Sequence, residues 1–269
     1  QPFFMQRIFS WGILPFFLFV FSSALEAQLA SQPMVGHVGL RDARIWIQTT
    51  APCVATLVCW ADSMGNAPTE VQVMDEQALE SHHANTAIFD VGGLAPGTAY
   101  RFQILVDGAR AETGFDPALQ RFTTQPLWQY RFDPPAFTLA VGSCVFINEP
   151  QYDRPGRPYG GNYEIFESLA DSKPDAMLWL GDNAYFREVD FYSLSGMQHR
   201  YSHLRQVPEL QRLLGSCPHY AIWDDHDYGP DNSDGSWVHQ AWSEQTFGEF
   251  WANPTQGLPQ LGGRGITSM

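Results

Sequence analysis

Hydrophobic positions follow two rhythms along this chain. Between residues 33 and 125 they alternate with polar ones: "ARIWIQTT", "VATLVCWAD", "HANTAIFDVGGL", "TAYRFQILVDG" and "ALQRFTTQP" each carry apolar residues at every second place, separated by turn-rich runs. Period two sends successive side chains to opposite faces, so these segments are predicted strands with one buried face. From residue 137 the rhythm changes. "FTLAVGSC", "AMLWLGDNAY" and "HYAIWDDHD" open as unbroken apolar runs, as strands buried on both faces do. Between and after them, "NYEIFESLADSKPD", "MQHRYSHLRQVPELQRLLGS" and "SWVHQAWSEQTFGEFWANP" show helical spacing. Ile165, Phe166 and Leu169 are expected on the inner side of the first, and Pro208 interrupts the second. Trp237, Ala241, Trp242, Phe247, Phe250 and Trp251 form the apolar set of the third. Strand, helix, strand, helix, strand predicts an α/β unit with a largely parallel sheet.

The alternating half resembles a fibronectin-III-like or immunoglobulin-like sandwich. "GLAPGTAYRF" looks like the strand entry of fibronectin-III-type modules, with Tyr100 at the sheet corner and Phe102, Ile104 and Val106 continuing its face. The expected organisation is a β-sandwich over 33–125, a linker over 126–136 and an α/β domain over 137–269. The linker, "PLWQYRFDPPA", reads as a packed hinge because of its prolines and aromatics. At the other end, "IFSWGILPFFLFVF" follows Arg7 and precedes "SSALEAQ". That is the layout of an export signal over 5–27, with Met5 the expected start and cleavage after Ala24 or Ala27. The apolar run is too short for a comfortable membrane span. A secreted or periplasmic protein without a stable span is expected.

Composition narrows the partners. A chain of 269 residues, 44% hydrophobic, can bury a sizeable core and suits two domains. Its net charge of −14 argues against nucleic acid or an anionic membrane surface as a partner. A phosphate substrate survives that argument, since bound metal reverses the local sign. Cys53 and Cys59 flank one predicted strand, whose ends lie ~20 Å apart and out of disulfide reach. With Cys217 they are expected as buried free thiols. His82 and His83 are adjacent, so an extended backbone points them to opposite faces and no shared metal is expected.

Each of the three apolar strands ends in ligand-type residues: Ser143 and Cys144, then Asp182, Asn183 and Tyr185, then Asp224, Asp225 and His226. Ligands of open α/β sheets bind beyond the carboxyl ends of the strands. So many carboxylates share a pocket only if something positive neutralises them, and a metal pair does so economically. The segment "DDHDYGPDNSDG" fails as an EF-hand loop, because with Gly229 at its sixth position the twelfth is Gly235 rather than glutamate.

"VGSC" (141–144), "GDNAY" (181–185) followed by "RE", "RYSHLRQVPELQRLL" (200–214) and "IWDDHDYGPDNSD" (222–234) together resemble the PhoD-like alkaline phosphatase/phosphodiesterase family of metallophosphatases. The resemblance covers about 35–269, sandwich included. It implies phosphate-ester hydrolysis by a hydroxide activated between two metals. It also implies ferric iron held by Cys144, Asp182 and Tyr185, with Asp182 bridging to a second metal, often calcium. Thiolate and phenolate suit iron better than magnesium. Asp225 and Asn232 would serve the second metal, His226 would stand at the leaving oxygen, and Arg200 or Arg205 would clamp phosphate. His199 and His203 share a helix face and are expected to be solvated. The family's later strands and its Gly-Asp-x-His-type element do not follow "GLPQLGGRGITSM", so a fragment of a longer frame is expected, with poor turnover by these residues alone. A reading of another class competes: a non-catalytic exported binding protein that uses an aromatic patch on the sandwich, with scattered acids in an inert α/β half.

Overall fold

The computed structural model describes residues 27–62, 72–111, 114–254 and 265–266. The export signal expected over 5–27 lies almost wholly outside them. Among the described residues, no helix is long and apolar enough to cross a membrane.

The first half is a sandwich of two antiparallel sheets. One has the order β1 (Met34–Val38), β2 (Ala43–Gln48), β5 (Thr86–Val91). The other runs β4 (Gln72–Leu79), β3 (Cys53–Ala61), β6 (Ala99–Val106), β7 (Ala109–Arg110), with β8 (Arg121–Thr123) also paired to β6. Alternation works as expected in β6, where Tyr100, Phe102, Ile104 and Val106 are buried against Ile45, Ile47, Leu57 and Phe89. The Tyr100 hydroxyl accepts the Ala95 N–H at 2.8 Å and fixes the corner before the strand.

The second half is a parallel sheet in the order β11 (His219–Ile222), β10 (Ala176–Leu180), β9 (Leu139–Gly142). Helices α1 (Glu164–Asp171), α2 (Leu194–Arg205), α3 (Gln211–Ser216) and α4 (Gln240–Phe250) accompany it. The face carrying Ala140, Met177, Trp179 and Ala221 is buried in the core with Phe166, Tyr201 and Trp251. On the opposite face Leu139, Val141, Leu180 and Ile222 stand exposed, with Leu180 paired to Ile222 and Val141 to Leu178. The expectation that these strands are buried on both faces therefore holds on one only.

The two halves share a core. Met34 and Trp46 of the sandwich belong to the same buried cluster as Trp179 and Phe250. The Trp46 indole donates to the Glu249 carbonyl at 2.8 Å. A Cβ on Gly36 would lie 2.1 Å from the Ala252 carbonyl oxygen, so only glycine lets β1 approach this closely. Arg205 lies between the halves, its guanidinium carbon 4.0 Å from the Trp251 ring centroid and 5.2 Å from that of Trp46.

Three local expectations need correction. The 126–136 connection is not a packed hinge: Tyr130 and Phe132 are exposed. Ile165 points outward from α1 while Phe166 is buried, because the helix starts only at Glu164 and its inner stripe runs through Phe166 and Ala170. His82 and His83 are not extended. Ser81–His83 form one 3₁₀ turn, which brings the rings to 4.1 Å. His83 then pairs with Glu249 at 2.7 Å and His82 with Glu80 at 3.1 Å. As expected, Cys53, Cys59 and Cys217 are free; Cys53 is only half-buried.

His219 gives the fold a pH signature. It is fully buried, its Nδ1 accepts the Trp179 indole N–H at 2.9 Å, and its Nε2 donates to the Leu213 carbonyl at 3.0 Å. Burial, and then the charge of Arg205, lower its pKa from 6.5 to about 3. The unfolded chain binds this proton at a higher pH than the folded one. The stability held by the neutral ring is therefore complete above about pH 6.5 and falls by about 1.4 kcal/mol per unit as pH drops towards 3. Asp227, whose carboxyl burial raises to about 7, contributes the opposite slope over the same range, so the test is a difference: in urea titrations from pH 7 to 4.5 the native chain is expected to lose about 1.4 kcal/mol per unit relative to His219→Gln.

Candidate metal centre

The three parallel strands end at one place, and backbone conformation turns their last residues towards each other. Cys144, Asp182 and Asn232 have φ of 61°, 51° and 59°, the left-handed region that is uncommon for non-glycine residues and that Asp and Asn tolerate best. The Val145 N–H donates to the Asp182 carbonyl at 2.8 Å, tying the β9 exit to the β10 exit. Asn183, wholly buried, ties β10 to β11: its amide donates to Ile222 O at 2.7 Å and to Asp227 Oδ2 at 2.6 Å. Asp227 also accepts the Asp224 N–H at 2.6 Å and closes a capping box around Asp225 and His226. Burial pushes the Asp227 carboxyl up to about 7, against the lowering by its Asp224 and Asn183 donors.

Within this frame, ligand atoms of Asp182, Asp225 and His226 all lie within 4.8 Å of one another. The Tyr185 hydroxyl donates to Asp182 Oδ2 at 2.8 Å, and Cys144 Sγ lies 3.5 Å from the same oxygen. Tyr185 packs its ring 4.4 Å from that of His226. Burial, then Asp182 and Cys144, raise the Tyr185 phenol well above its ordinary value; a cation among these donors would act in the opposite sense. His226 Nε2 is 3.4 Å from Asp231 Oδ1. Asn232 reaches the Asp225 carboxylate through its backbone N–H, while its side-chain amide donates to Asp231 at 2.8 Å. The structure therefore brings Cys144, Asp182, Tyr185, Asp225 and His226 together. Asn232 adjoins them by its main chain.

The two arginines are elsewhere. Arg200 is 3% exposed; its Nε donates to Asp190 at 2.9 Å and its Nη1 to Glu149 at 2.6 Å. Arg205 is fully buried and donates to the Phe250 carbonyl. A phosphate clamp needs guanidinium edges that a ligand can reach; Arg200 Nη2 and Arg205 Nε and Nη1 lack hydrogen-bond partners but are buried. His199 and His203 are not merely solvated, since both face Glu149, at 3.1 Å and 3.8 Å. Burial raises the Glu149 carboxyl, but His199, Arg200 and His203 together hold it below its ordinary value.

Sequence reasoning missed this supporting layer. Arg187 stacks 4.0 Å from the Phe146 ring centroid, donates to Asp153 at 2.8 Å and to the Ile147 carbonyl at 2.9 Å, and its Nη1 reaches the Tyr185 carbonyl. It pins the loop after Cys144 onto the loop carrying Tyr185. The Asp-x-x-Asp spacing of Asp224 and Asp227 was the available signal for the capping box. Nothing local marks Arg187, Asp153, Asp190 and Glu149 as partners.

Gly181 has φ 91°, and a Cβ there would lie 2.6 Å from that of Asp224. Gly181→Ala is expected to lower stability by about 2–4 kcal/mol, from the strained φ and the clash together. Urea denaturation checks it, with Gly235→Ala as an unstrained, uncrowded control.

Comparisons with known proteins bear on the fold. A family model described as a domain of unknown function (DUF7800) matches residues 26–123. Among curated proteins none matches the chain. The structure of PhoD superposes with a TM-score of 0.66 at 15% identity, covering 90% of this chain and 49% of that one. The chain thus spans about half the length of that neighbour. The chain is also similar over part of its length to the sensor domain of the anti-sigma factor RsgI4 in Pseudobacteroides cellulosolvens (TM-score 0.30, 22% identity, 39% of this chain and 100% of that one). A further similar structure is the FN5 domain of Drosophila Lar (TM-score 0.25, 15% identity, 37% of this chain and 95% of that one). The global comparison that defines the fold is the one with PhoD: a β-sandwich followed by part of an α/β domain.

Proposed function

We propose that this chain is part of a metal-dependent phosphoesterase of the PhoD type. One observation carries the reading: Asp182, Asp225 and His226 converge at the carboxyl ends of β10 and β11, with Tyr185 and Cys144 both directed at Asp182 Oδ2. Mixed oxygen, nitrogen and sulfur donors suit a transition metal beside a harder cation. A further observation fits a cation: Asp182 Oδ1 is buried without a hydrogen-bond partner, and a buried carboxylate oxygen left bare is costly. Cys144, Asp182 and Tyr185 would hold iron; Asp182 and Asp225, with Asn232 beside them, would hold calcium or another divalent ion. Bound there, the metals would neutralise phosphate charge and ease ionisation of the attacking water.

The chain's own residues do the rest. Asn183 and Asp227 fix Asp182 and Asp225 relative to each other. His226, oriented by Asp231 and by the Tyr185 ring, presents an imidazole able to give a proton to a departing alkoxide. The substrate class is a phosphate ester, and the export signal expected over 5–27 would put the site outside the cytoplasm. The competing idea of an inert scaffold expects scattered acids; these five side chains lie together instead.

Metal content is the direct test. The purified chain is expected to take up iron and a divalent ion, with visible absorption from a phenolate–iron pair that disappears in Tyr185→Phe. A chain that takes up neither, and with Asp182→Ala indistinguishable from native, would sink the reading.

A further inference from the structure

Beside the ligand loop stands a group of rings that the hydrolytic reading leaves unused. Trp237 touches that loop directly: a Cβ on Gly229 would lie 3.3 Å from Trp237 Cδ1, and the Gly229 N–H donates to the Asp225 carbonyl at 2.8 Å. Around Trp237 gather Tyr192 at 6.3 Å, Phe191 at 6.2 Å and His239 at 5.3 Å between centroids. His239 is in turn held flat against Trp242, at 4.1 Å and 2°. A cluster built only to fill the core would hide its rings. Here Tyr192 is 69% exposed and the neighbouring Val238 is 79% exposed.

The mutual angles suit a cation. Tyr192 meets His239 at 81° with centroids 5.9 Å apart, and Trp237 at 52°. Two steeply inclined ring faces, each roughly 4–5 Å from one cation, have centroids roughly 6 Å apart. Charge points the same way. No lysine or arginine occurs between Arg212 and Arg264, whereas Asp224, Asp225, Asp231 and Asp234 all fall in that interval. Asp231 and Asp234 are exposed, and among the described residues neither pairs with a lysine or arginine. An aromatic corner beside an acidic loop, where Asp231 meets His226 and, among the described residues, neither Asp231 nor Asp234 meets a lysine or arginine, recognises an alkylammonium better than a neutral or anionic group.

We infer that Tyr192, Trp237 and His239 form a subsite for a quaternary or substituted ammonium group, so that the preferred substrate is a phosphate ester of an amino alcohol. The substrate assignment rests on the phosphoesterase reading; the ammonium site does not. The rings supply dispersion and quadrupole attraction, and the exposed carboxylates of Asp231 and Asp234 supply long-range steering.

Tryptophan fluorescence tests the subsite without metal or turnover. Choline is titrated into the chain, alongside its neutral isostere 3,3-dimethyl-1-butanol. Saturable binding of choline and not of the isostere is expected. The affinity should fall roughly tenfold in Tyr192→Ala and be kept in Tyr192→Phe, which retains the ring. The subsite is overturned if choline does not saturate, if the isostere titrates alike, or if Tyr192→Ala binds as the native chain does. Hydrolysis of p-nitrophenyl phosphorylcholine against bis-p-nitrophenyl phosphate, on metal-loaded protein, separates the two ideas. A lower KM for the choline ester, lost in Tyr192→Ala, supports the substrate assignment. Choline binding by a chain that takes up no metal removes the phosphoesterase reading and leaves an ammonium site. Both esters cleaved with equal KM and no choline binding removes the subsite alone.

Discussion

Asp182→Ala should strip the centre of metal and lower any ester hydrolysis at least ~100-fold, because loss of a direct ligand exceeds the 10–100-fold typical of its hydrogen-bonded supports. The argument is geometric. Asp182 Oδ2 is the atom on which Tyr185 and Cys144 both converge, at 2.8 Å and 3.5 Å, and its carboxylate is the link to Asp225 and His226. Removing it also removes negative charge from a crowded acidic site, so the folded state should not lose stability in the metal-free form. The expected signature is therefore split: elemental analysis and bis-p-nitrophenyl phosphate hydrolysis collapse, while metal-free thermal unfolding stays or rises. Asn183→Ala should give the milder 10–100-fold effect, since Asn183 only positions Asp227 and the strand ends. Equal metal uptake by native chain and Asp182→Ala would refute the assignment.

Arg200→Ala is expected to cost about 3–5 kcal/mol of stability, the usual penalty for breaking a buried ion pair from one side. Asp190 is 2% exposed and would keep the Arg187 N–H but lose its only guanidinium; Glu149 would keep only its two histidines. A phosphate clamp predicts a different outcome, with KM raised and stability kept. Urea denaturation and substrate titration on one protein preparation separate the two, and a stable Arg200→Ala with high KM would reverse the assignment made from the structure.

Periodicity revealed the architecture because both rhythms report burial directly. Strand β6 keeps its inward set over its whole length, and the three helical runs past residue 137 appear as α1 to α4 with the break at Pro208. Strand β1 went unseen: "MVGHV" is apolar almost throughout, with no alternation to mark it, although it pairs with the strand that follows it, Val38 against Ala43. The donors Cys144, Asp182, Tyr185, Asp225 and His226 were legible because they terminate apolar strands, a position a linear sequence displays. Their supports were not. Arg200 was expected to clamp phosphate, and only the packing of residues 149 and 190 against α2 shows what neutralises it. Trp237 was counted with the helix apolar set, yet the helix begins at Gln240 and leaves that ring beside the site.

The close approach of β1 to the chain after α4 bears on how such a molecule can change over time. The family-model match stops at residue 123, which invites treating the first half as an interchangeable module. Yet Gly36 is pressed against Ala252, and Arg205 is enclosed by one tryptophan from each half. A sandwich grafted in from another protein would bring a side chain where only hydrogen fits and would leave Arg205 without its Trp46 wall. The two halves can therefore drift only as a matched set. The seam between them is a boundary of resemblance that recombination cannot cross without compensating changes on both sides.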